Sequence, residues 1–265
     1  MHLLITRPEP DASAMRDMLQ AEGITADVAP LLEIVIDTPD AVLLARASVL
    51  VVTSRNGLRA LERARIPSDV LSRPLLVVGR GTGEAARRMG FADVTVGPAT
   101  AKDLLPLITA AWRERIVPAA GGADPGPVVH LSGDKISFDL KPHLAGLGIP
   151  LVHDTVYRSQ PVKSLPPVVQ ATLAASGYDG VVLMSPLTAE TFVDLVVAKG
   201  LAEGARRAAY LCLSQGIADR VAPLGVRNVT VAVRPNIEEM VALIRDLAAK
   251  SAAMSPPGDQ SDTMS

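Results

Sequence analysis

Short runs of valine, leucine and isoleucine recur along the chain, and small or polar residues and then a segment with helical spacing usually follow each one. Most of these runs are continuously apolar, which is typical of parallel strands covered by helices on both faces. The predicted strands are residues 2–6, 28–36, 49–53, 75–78, 94–96, 128–131, 151–157, 181–184, 209–213 and 229–233. This alternation predicts an α/β protein built on open, doubly wound parallel sheets.

Start and stop signals bound several of the predicted helices. Ser185 is a natural N-cap with Pro186 at the first helical position, and Gly200 ends that helix. Asn236 and Glu239 form a capping-box pattern. Residues 118–127, rich in glycine and proline, are predicted to be a loop, and residues 251–265 a disordered tail.

Two patterns occur twice in the chain. Pattern X, residues 3–36 and 128–157, is a strand, a helix, a Gly-Ile pair and a second strand. Pattern Y occurs first at 49–61 with 79–90, and again at 181–192 with 214–225. Segments 79–90 and 214–225 both keep glycine at the third and last positions. The order X-Y-X-Y predicts two five-stranded lobes. The lobes are either consecutive, or the first X joins the last Y and residues 31–38 and 154–163 form a hinge.

Composition excludes several classes of protein. The 265 residues include 48% hydrophobic and 3% aromatic side chains, and the net charge is −2. Nucleic-acid binding is not expected, because no basic footprint or aromatic stacking platform is present. No apolar run is long enough to cross a bilayer, and the first residues lack the layout of a signal peptide. With a single cysteine, Cys212, these features predict a cytoplasmic protein without membrane contact.

The sequence predicts neither a metal nor an organic cofactor. Cys212 lies in an apolar run and is interpreted as a core residue, and the histidines lack the spacing of metal ligands. His130 and His153 fall in predicted strands and are interpreted as structural. Residues 79–83 lack the third glycine of a dinucleotide fingerprint, and no phosphate loop or nucleophile elbow occurs. The strand ends hold neither a carboxylate pair nor a histidine suited to proton transfer.

Hydroxyls, glycines and cations collect where the predicted strands end and helices begin. In doubly wound sheets these ends face the ligand, and free N–H groups at helix starts bind anions. We therefore predict sites for a small ligand with several carboxylates, although each serine or threonine could simply cap its own helix. The candidate binding residues are Arg7, Thr53, Ser54, Arg55, Asn56, Gly79, Arg80, Gly81, Thr82, Ser132, Gly133, Lys135, Ser185, Pro186, Ser214 and Gly216.

A series of short motifs runs in order over nearly the whole chain, to about Leu247. They are Leu-Ile-Thr-Arg-Pro at 4–8, Ala-Pro-Leu-Leu-Glu-Ile at 29–34, Val-Thr-Ser-Arg-Asn-Gly at 52–57, Val-Gly at 78–79 with Thr82, Val-Tyr-Arg at 156–158 and Ser-Pro at 185–186. Each motif alone is weak, but the ordered series strongly resembles the uroporphyrinogen-III synthase family.

The resemblance implies the discontinuous arrangement of the two patterns. Two similar flavodoxin-like lobes with parallel five-stranded sheets are expected, joined by a two-stranded linker. Residues 1–35 and 162–250 would form the first lobe, residues 38–155 the second, and residues 251–265 the tail.

The resemblance also implies a reaction. The family closes the linear tetrapyrrole hydroxymethylbilane to uroporphyrinogen III with inversion of the last pyrrole ring and loss of water, without a cofactor. Its tyrosine thought to help the hydroxyl leave maps to Tyr157, its threonine after a glycine turn to Thr82, and its serine before proline to Ser185. Met184 stands where threonine is common, and Arg80 and Gly83 are unusual neighbours of Thr82.

The implied partners are the small-molecule substrate and, in transient contact, the preceding bilane-forming enzyme. Two other readings stay open at this point: a two-lobed binding module or sensor for a polycarboxylate, and a nucleotide-dependent enzyme on a flavodoxin-like fold. The missing phosphate motifs weigh against the second.

Overall fold

The computed structural model describes residues 1–116 and 125–254. Its chain divides into two compact units, unit 1 (Met1–Glu33 and Pro161–Ser265) and unit 2 (Ile34–Gln160). Most of the predicted loop 118–127 and the tail from residue 255 onwards lie outside the described residues.

In chain order, the strands are β1 (His2–Ile5), β2 (Thr25–Val28), β3 (Leu32–Ile36), β4 (Val49–Val52), β5 (Leu75–Val78), β6 (Val94–Gly97), β7 (Val128–Gly133), β8 (Leu151–Pro161), β9 (Gly180–Leu183), β10 (Ala209–Cys212) and β11 (Val229–Val231). The helices are α1 (Asp11–Ala21), α2 (Ala41–Arg46), α3 (Arg55–Ala64), α4 (Ser68–Leu71), α5 (Arg80–Arg88), α6 (Leu105–Ile116), α7 (Lys141–Ala145), α8 (Pro167–Ala174), α9 (Pro186–Ala198), α10 (Ala202–Ala205), α11 (Gln215–Val221) and α12 (Ile237–Met254). Single 3₁₀ turns cover Lys102–Leu104 and Ala222–Leu224.

The described strands of unit 1 form a parallel five-stranded sheet in the order β11-β10-β9-β1-β2. Strand β1 pairs with β9, and Leu3 lies opposite Gly180. The expected pairing of the first strand with the strand near residues 181–184 is therefore confirmed. Since β1 and β2 belong to the first X and β9 to β11 to the last Y, this sheet joins the first pattern to the last.

The second sheet has six described strands, in the order β3-β8-β7-β4-β5-β6, rather than the five predicted. The extra edge strand is β3. Asp37 N–H donates to Val156 O, while Val162 N–H donates to Leu31 O, so residue numbers rise on one strand as they fall on the other. That is antiparallel pairing. The remaining five strands are parallel. Their order β8-β7-β4-β5-β6 corresponds to β2-β1-β9-β10-β11 of unit 1 when the strands of pattern X are matched with those of X and the strands of Y with those of Y.

Two predicted boundaries are wrong. The run 28–36 is not one strand, because β2 ends at Val28 and β3 begins at Leu32 in the other sheet. Between them Pro30 has no N–H to donate to a ladder, and the side chain of Leu31 is fully buried in unit 1. The predicted tail also starts too early, since α12 continues to Met254.

Both faces of each sheet are buried, which explains the continuously apolar runs. In β4, Leu50 and Val52 pack into one core cluster while Val49 and Val51 pack into another. The interpretation of Cys212 as a core residue is confirmed, because its side chain is fully buried. Within the described residues, none of the helices combines the length and apolar character needed to span a membrane.

Candidate functional site

Unit 2 brings most of the candidate residues to one edge of its sheet. Strands β8, β7, β4 and β5 are adjacent and parallel, so their carboxyl ends lie together. This edge carries Thr53, Ser54, Arg55 and Asn56 after β4, Gly79, Arg80, Gly81 and Thr82 after β5, Ser132, Gly133 and Lys135 at the end of β7, and Tyr157 on β8.

The start of α3 is fixed by a serine cap and a glycine. Ser54 Oγ accepts the Asn56 N–H at 3.3 Å, as an N-cap should. A Cβ on Gly57 would lie 2.8 Å from the carbonyl oxygen of Leu131, so the glycine lets α3 begin close against β7. The side-chain oxygen of Asn56 accepts from Arg59 Nη1 at 2.7 Å. Thus Ser54 has the capping role that was the alternative to ligand binding, whatever else it contacts.

The start of α5 depends on glycine conformation. Gly79 is its N-cap with a φ of 82°, which L side chains rarely adopt. A Cβ on Gly81 would collide with the guanidinium of Arg55, so the arginine side chain covers this turn. Arg80 is exposed, whereas Thr82 is only 6% exposed. The hydroxyl of Thr82 is therefore much less open to a ligand than the sequence suggested.

A groove of about 580 Å³ lies between α3 and α5. Arg55 and Gly81 line it at the N-terminal ends of the two helices. Arg59 and Arg88 line it nearer to their C-terminal ends. Leucine, isoleucine and methionine side chains supply an apolar surface between the cations: Leu58, Leu61, Ile66, Leu71 and Met89. Glu62 and Glu84 also line the groove, so its surface combines apolar side chains with charges of both signs.

The ring of Tyr157 packs directly on Gly133. A Cβ on Gly133 would lie 2.5 Å from Tyr157 Cε2 and 2.8 Å from its hydroxyl oxygen. The β7–β8 register shifts at this point, and Asp134 N–H donates to Tyr157 O at 3.1 Å. Glycine is therefore required at position 133 for the half-buried tyrosine to take this position, while Lys135 nearby is exposed.

Sequence reasoning missed two histidines that reach this edge. His130 Nε2 lies 3.1 Å from Thr53 Oγ1, and His130 Nδ1 lies 3.2 Å from His153 Nδ1. His153 Nε2 lies 3.0 Å from Asp139 Oδ1. The expectation that the strand ends lack a histidine suited to proton transfer stays a prediction, whereas the contact of His130 with Thr53 was not predicted. The available signal was that both histidines occupy the third position of successive predicted strands, which the register places side by side.

Burial controls ionisation in this group. Burial, and to a lesser extent the neighbouring His153, lower the pKa of His130 to about 4, while Asp139 opposes the shift. The Lys141 N–H and the His153 ring, both hydrogen-bonded to Asp139, lower the pKa of that carboxyl. His130 is therefore neutral and Asp139 ionised near pH 7. Among the described residues, no group of three or more histidine, cysteine, aspartate or glutamate side chains is placed to hold a metal ion.

Unit 1 carries the remaining candidates at the carboxyl ends of β1, β9 and β10. Arg7 Nη2 lies 3.2 Å from Asp11 Oδ2. Ser185 Oγ accepts the Thr188 N–H at 3.1 Å and caps α9, with the exposed Pro186 next to it. Ser214 precedes α11 without a side-chain capping bond in the described part of the chain. Gly216 is exposed, and no described atom lies within 4 Å of a Cβ built on it.

Comparisons with known proteins give the family of the chain and agree with its fold. The sequence profile of the family described as uroporphyrinogen-III synthase HemD matches residues 13–242. The solved uroporphyrinogen-III synthetase of Helicobacter pylori 26695 aligns with a TM-score of 0.60 at 15% identity, over 93% of this chain and 99% of that one. A mutant uroporphyrinogen III synthase from the extremely thermophilic bacterium Thermus thermophilus aligns with a TM-score of 0.55 at 17% identity, over 94% and 100%. Comparison with curated protein sequences gives no significant match.

Proposed function

The chain belongs to the uroporphyrinogen-III synthase family, and we propose that it carries out that family's reaction, closing hydroxymethylbilane to uroporphyrinogen III with inversion of the terminal pyrrole ring. The observation that carries this conclusion is the family match, which spans residues 13–242. The reaction is a cyclisation with loss of water, so we class the activity as a lyase.

The groups at the edge of unit 2 suit such a substrate. The bilane has acetate and propionate carboxylates, which accept hydrogen bonds, and pyrrole N–H groups, which donate them. We assign carboxylate binding to the exposed cations Arg55, Arg80 and Lys135 and to the backbone N–H groups at the starts of α3 and α5. The groove between α3 and α5 supplies apolar surface beside Arg55.

Unit 1 offers a second set of groups, with less charge. We assign substrate contacts there to Arg7, to the helix starts at Ser185-Pro186 and Ser214, and to the exposed backbone at Gly216. In unit 2, Thr53, Ser54, Asn56, Gly79, Gly81, Thr82, Ser132 and Gly133 complete the proposed contacts.

Tyr157 is our candidate proton donor. When water leaves the bilane a cationic azafulvene forms, and a phenol hydroxyl can donate a proton to the departing oxygen. The half-buried ring is held on Gly133, so its hydroxyl has a defined position at the strand edge. Ring closure at the substituted carbon through a spiro intermediate then depends on holding the terminal rings in one geometry. We assign the larger part of the rate to this positioning.

Further parts of the proposal concern organisation. The strand order shared by the two sheets supports flavodoxin-like lobes, residues 1–35 with 162–250 and residues 38–155. The antiparallel pairing of β3 with β8 supports a two-stranded linker. We also propose a cytoplasmic protein that contacts the bilane-forming enzyme transiently.

Product analysis tests the proposal. Purified protein is incubated with hydroxymethylbilane, and the type III product is separated from the type I isomer that forms spontaneously. We expect type III to predominate with active protein and type I with heat-denatured protein. Tight binding of the bilane with only type I product would instead indicate a binding module.

A further inference from the structure

Four side chains form a continuous hydrogen-bonded chain on one face of the sheet in unit 2. It runs from Thr53 through His130 and His153 to Asp139, with successive polar atoms 3.1, 3.2 and 3.0 Å apart. His130 is 1% exposed, whereas Thr53 is half-buried at the strand edge. The chain therefore connects a buried imidazole to a hydroxyl that a ligand can reach.

The carboxylate end sets the direction of the bonds when each imidazole carries a single hydrogen. An ionised carboxylate can only accept, so His153 Nε2 carries the hydrogen that faces Asp139 Oδ1. With its single hydrogen there, His153 accepts through Nδ1, and the hydrogen between the rings lies on His130 Nδ1. His130 Nε2 is left as an acceptor, and it takes the hydroxyl hydrogen of Thr53.

We propose that His130 is a positioning residue that orients the Thr53 hydroxyl inward, so that Thr53 meets the substrate as an acceptor for a pyrrole N–H and not as a donor to a carboxylate. This inference rests on the proposed function. A carboxylate has no hydrogen to give to Thr53 Oγ1, whereas each pyrrole ring has one. The oriented hydroxyl therefore distinguishes the ring atoms of the bilane from its side chains.

Ser132 can donate a hydrogen bond to the substrate, where Thr53 can accept one. Its side chain is 2% exposed, and its Oγ has no hydrogen-bond partner among the described residues. Extending the register of β4 and β7 places Ser132 opposite Thr53, on the sheet face of His130. A buried hydroxyl without a partner is unfavourable, and a ligand group that bonds to it would remove that cost. Ser132 still has its hydrogen to donate, so the pair offers one acceptor and one donor.

Unit 1 indicates that the fold does not require this chain. In unit 2, His130 pairs with Val51, which lies three residues before the Ser54 cap. In unit 1, Ile5 pairs with Val182, which lies three residues before the Ser185 cap. The unit 1 equivalents of His130, His153 and Thr53 are therefore Ile5, Val28 and Met184. All three pack in an apolar cluster. The same strand order thus forms without any polar group at these positions.

The first test reads the imidazole tautomers directly, without substrate. Nitrogen-15 NMR of the full chain near pH 7.5 should show hydrogen on Nδ1 of His130 and on Nε2 of His153. Asp139→Ala should remove this preference, whereas Asp139→Asn should keep it, because the same oxygen also accepts the Lys141 N–H and stays oriented. Hydrogen on Nε2 of His130 in the unaltered protein would overturn the proposal.

The second test is a double-mutant cycle on kcat/KM with hydroxymethylbilane. Thr53→Val and His130→Phe should each lower kcat/KM about three- to tenfold, the scale of one hydrogen bond, and Thr53→Ser should restore it. Because His130 acts through Thr53, the double variant should be no slower than Thr53→Val alone. Multiplicative losses, with all variants folded by thermal melts, would show that His130 acts independently and would overturn the proposal. Failure of the unaltered protein to make type III product would refute the proposed function, while the tautomers would still report on the orientation of Thr53.

Discussion

In each unit, five parallel strands from one X and one Y pattern are arranged in the same spatial order. The carboxyl ends of these strands nevertheless differ in chemistry between the two units. At the edge of unit 2 lie Tyr157, exposed cations and a hydroxyl that is bonded to a buried histidine. Around the equivalent strands of unit 1 lie apolar side chains, the Ser185 cap and Arg7, which pairs with Asp11. The order of apolar strands therefore specifies the architecture, and the side chains at the strand ends specify the chemistry of each unit.

From this difference we propose separate tasks for the two units. In this proposal, unit 2 holds the groups that move or direct a proton, namely Tyr157 and the chain from Thr53 to Asp139. Unit 1 would supply backbone N–H groups at helix starts, which can bind carboxylates by position and partial charge. Four predictions test this division of tasks, from the largest expected effect to the smallest.

The largest effect is expected from removing one phenol hydroxyl in unit 2. Tyr157→Phe should lower kcat about 10²–10⁴-fold, the usual scale of general acid catalysis, while the remaining product stays type III. Product identity depends on how the substrate is held, which the variant leaves unchanged. Steady-state kinetics with isomer analysis measures both quantities.

The matched control is a tyrosine in unit 1. Tyr210 is fully buried on β10 and donates to Ala205 O at 3.0 Å. Tyr210→Phe removes a buried hydrogen bond, so it should reduce stability by roughly 0.5–1.5 kcal/mol and leave kcat nearly unchanged. An unaltered kcat in Tyr157→Phe would contradict the assignment of the proton donor to unit 2.

The second prediction concerns the pH dependence of stability. The pKa of His130 is about 4 in the folded protein against 6.5 as its ordinary value, so the unfolded chain binds more protons between these pH values. The stability that the lowered pKa of His130 gives to the folded protein is full above pH 6.5 and is lost as the pH falls towards 4. The free energy of unfolding should fall by about 3 kcal/mol across this window through His130 alone.

Chemical denaturation at several pH values measures this fall. The control is His130→Leu, which gives unit 2 an apolar residue where unit 1 has Ile5. The difference between the two curves reports the ionisation of His130 together with its contact to His153. Parallel curves from pH 7 to pH 4 would mean that His130 is not the neutral, buried group described above.

The third prediction is a loss of activity from one added methyl group. In Gly133→Ala the new Cβ would lie within 2.8 Å of three Tyr157 atoms, so the ring must move. We expect kcat to fall about tenfold or more, since small misplacements of a reacting group are costly. Gly146→Ala is the control, because its Cβ would make only ordinary contacts at 3.7 and 3.8 Å. Equal kcat values in the two folded variants would show that the position of Tyr157 does not limit the rate.

The smallest effect separates capping from ligand binding in unit 1. Ser185→Ala removes the cap of α9 and should lower the free energy of unfolding by about 1 kcal/mol. Ser214 makes no capping bond with the described residues, so Ser214→Ala should change stability by a few tenths of a kcal/mol at most. Thermal or chemical denaturation compares the two. A similar loss in both would mean that the hydroxyl of Ser214 also caps its helix.

Much of the fold could be predicted from the order of apolar runs. Ten predicted strands overlap strands of the structure, and the Ser185-Pro186 helix start is found as expected. In the run 28–36, Pro30 was a sequence signal for a break, but Ala29 and Leu31 are as apolar as strand residues, and the placement of β2 and β3 in different sheets depends on distant contacts. The continuation of α12 to Met254 was missed because alanines 252 and 253 alone give weak periodicity.

The candidate site was predictable to a different degree. Strand ends and helix starts are local features, so Arg55, Gly79 and Ser185 could be located from their neighbours in sequence. The covering of Gly81 by Arg55 and the packing of Tyr157 on Gly133 could not, since each joins segments far apart in the chain.

By itself, then, the sequence determined the alternation of strands and helices, the repeated patterns and the family. The pairing of the first X with the last Y was implied by the family resemblance and is seen in the tertiary structure, which alone decided that β3 adds a sixth strand and that His130 connects Thr53 to His153. The physical reason is that apolar periodicity records which face of an element is buried, but not which element buries it. Strand neighbours and hydrogen-bond partners are chosen by register and packing between residues as much as 223 positions apart, the separation of Glu22 from Arg245, its hydrogen-bond partner.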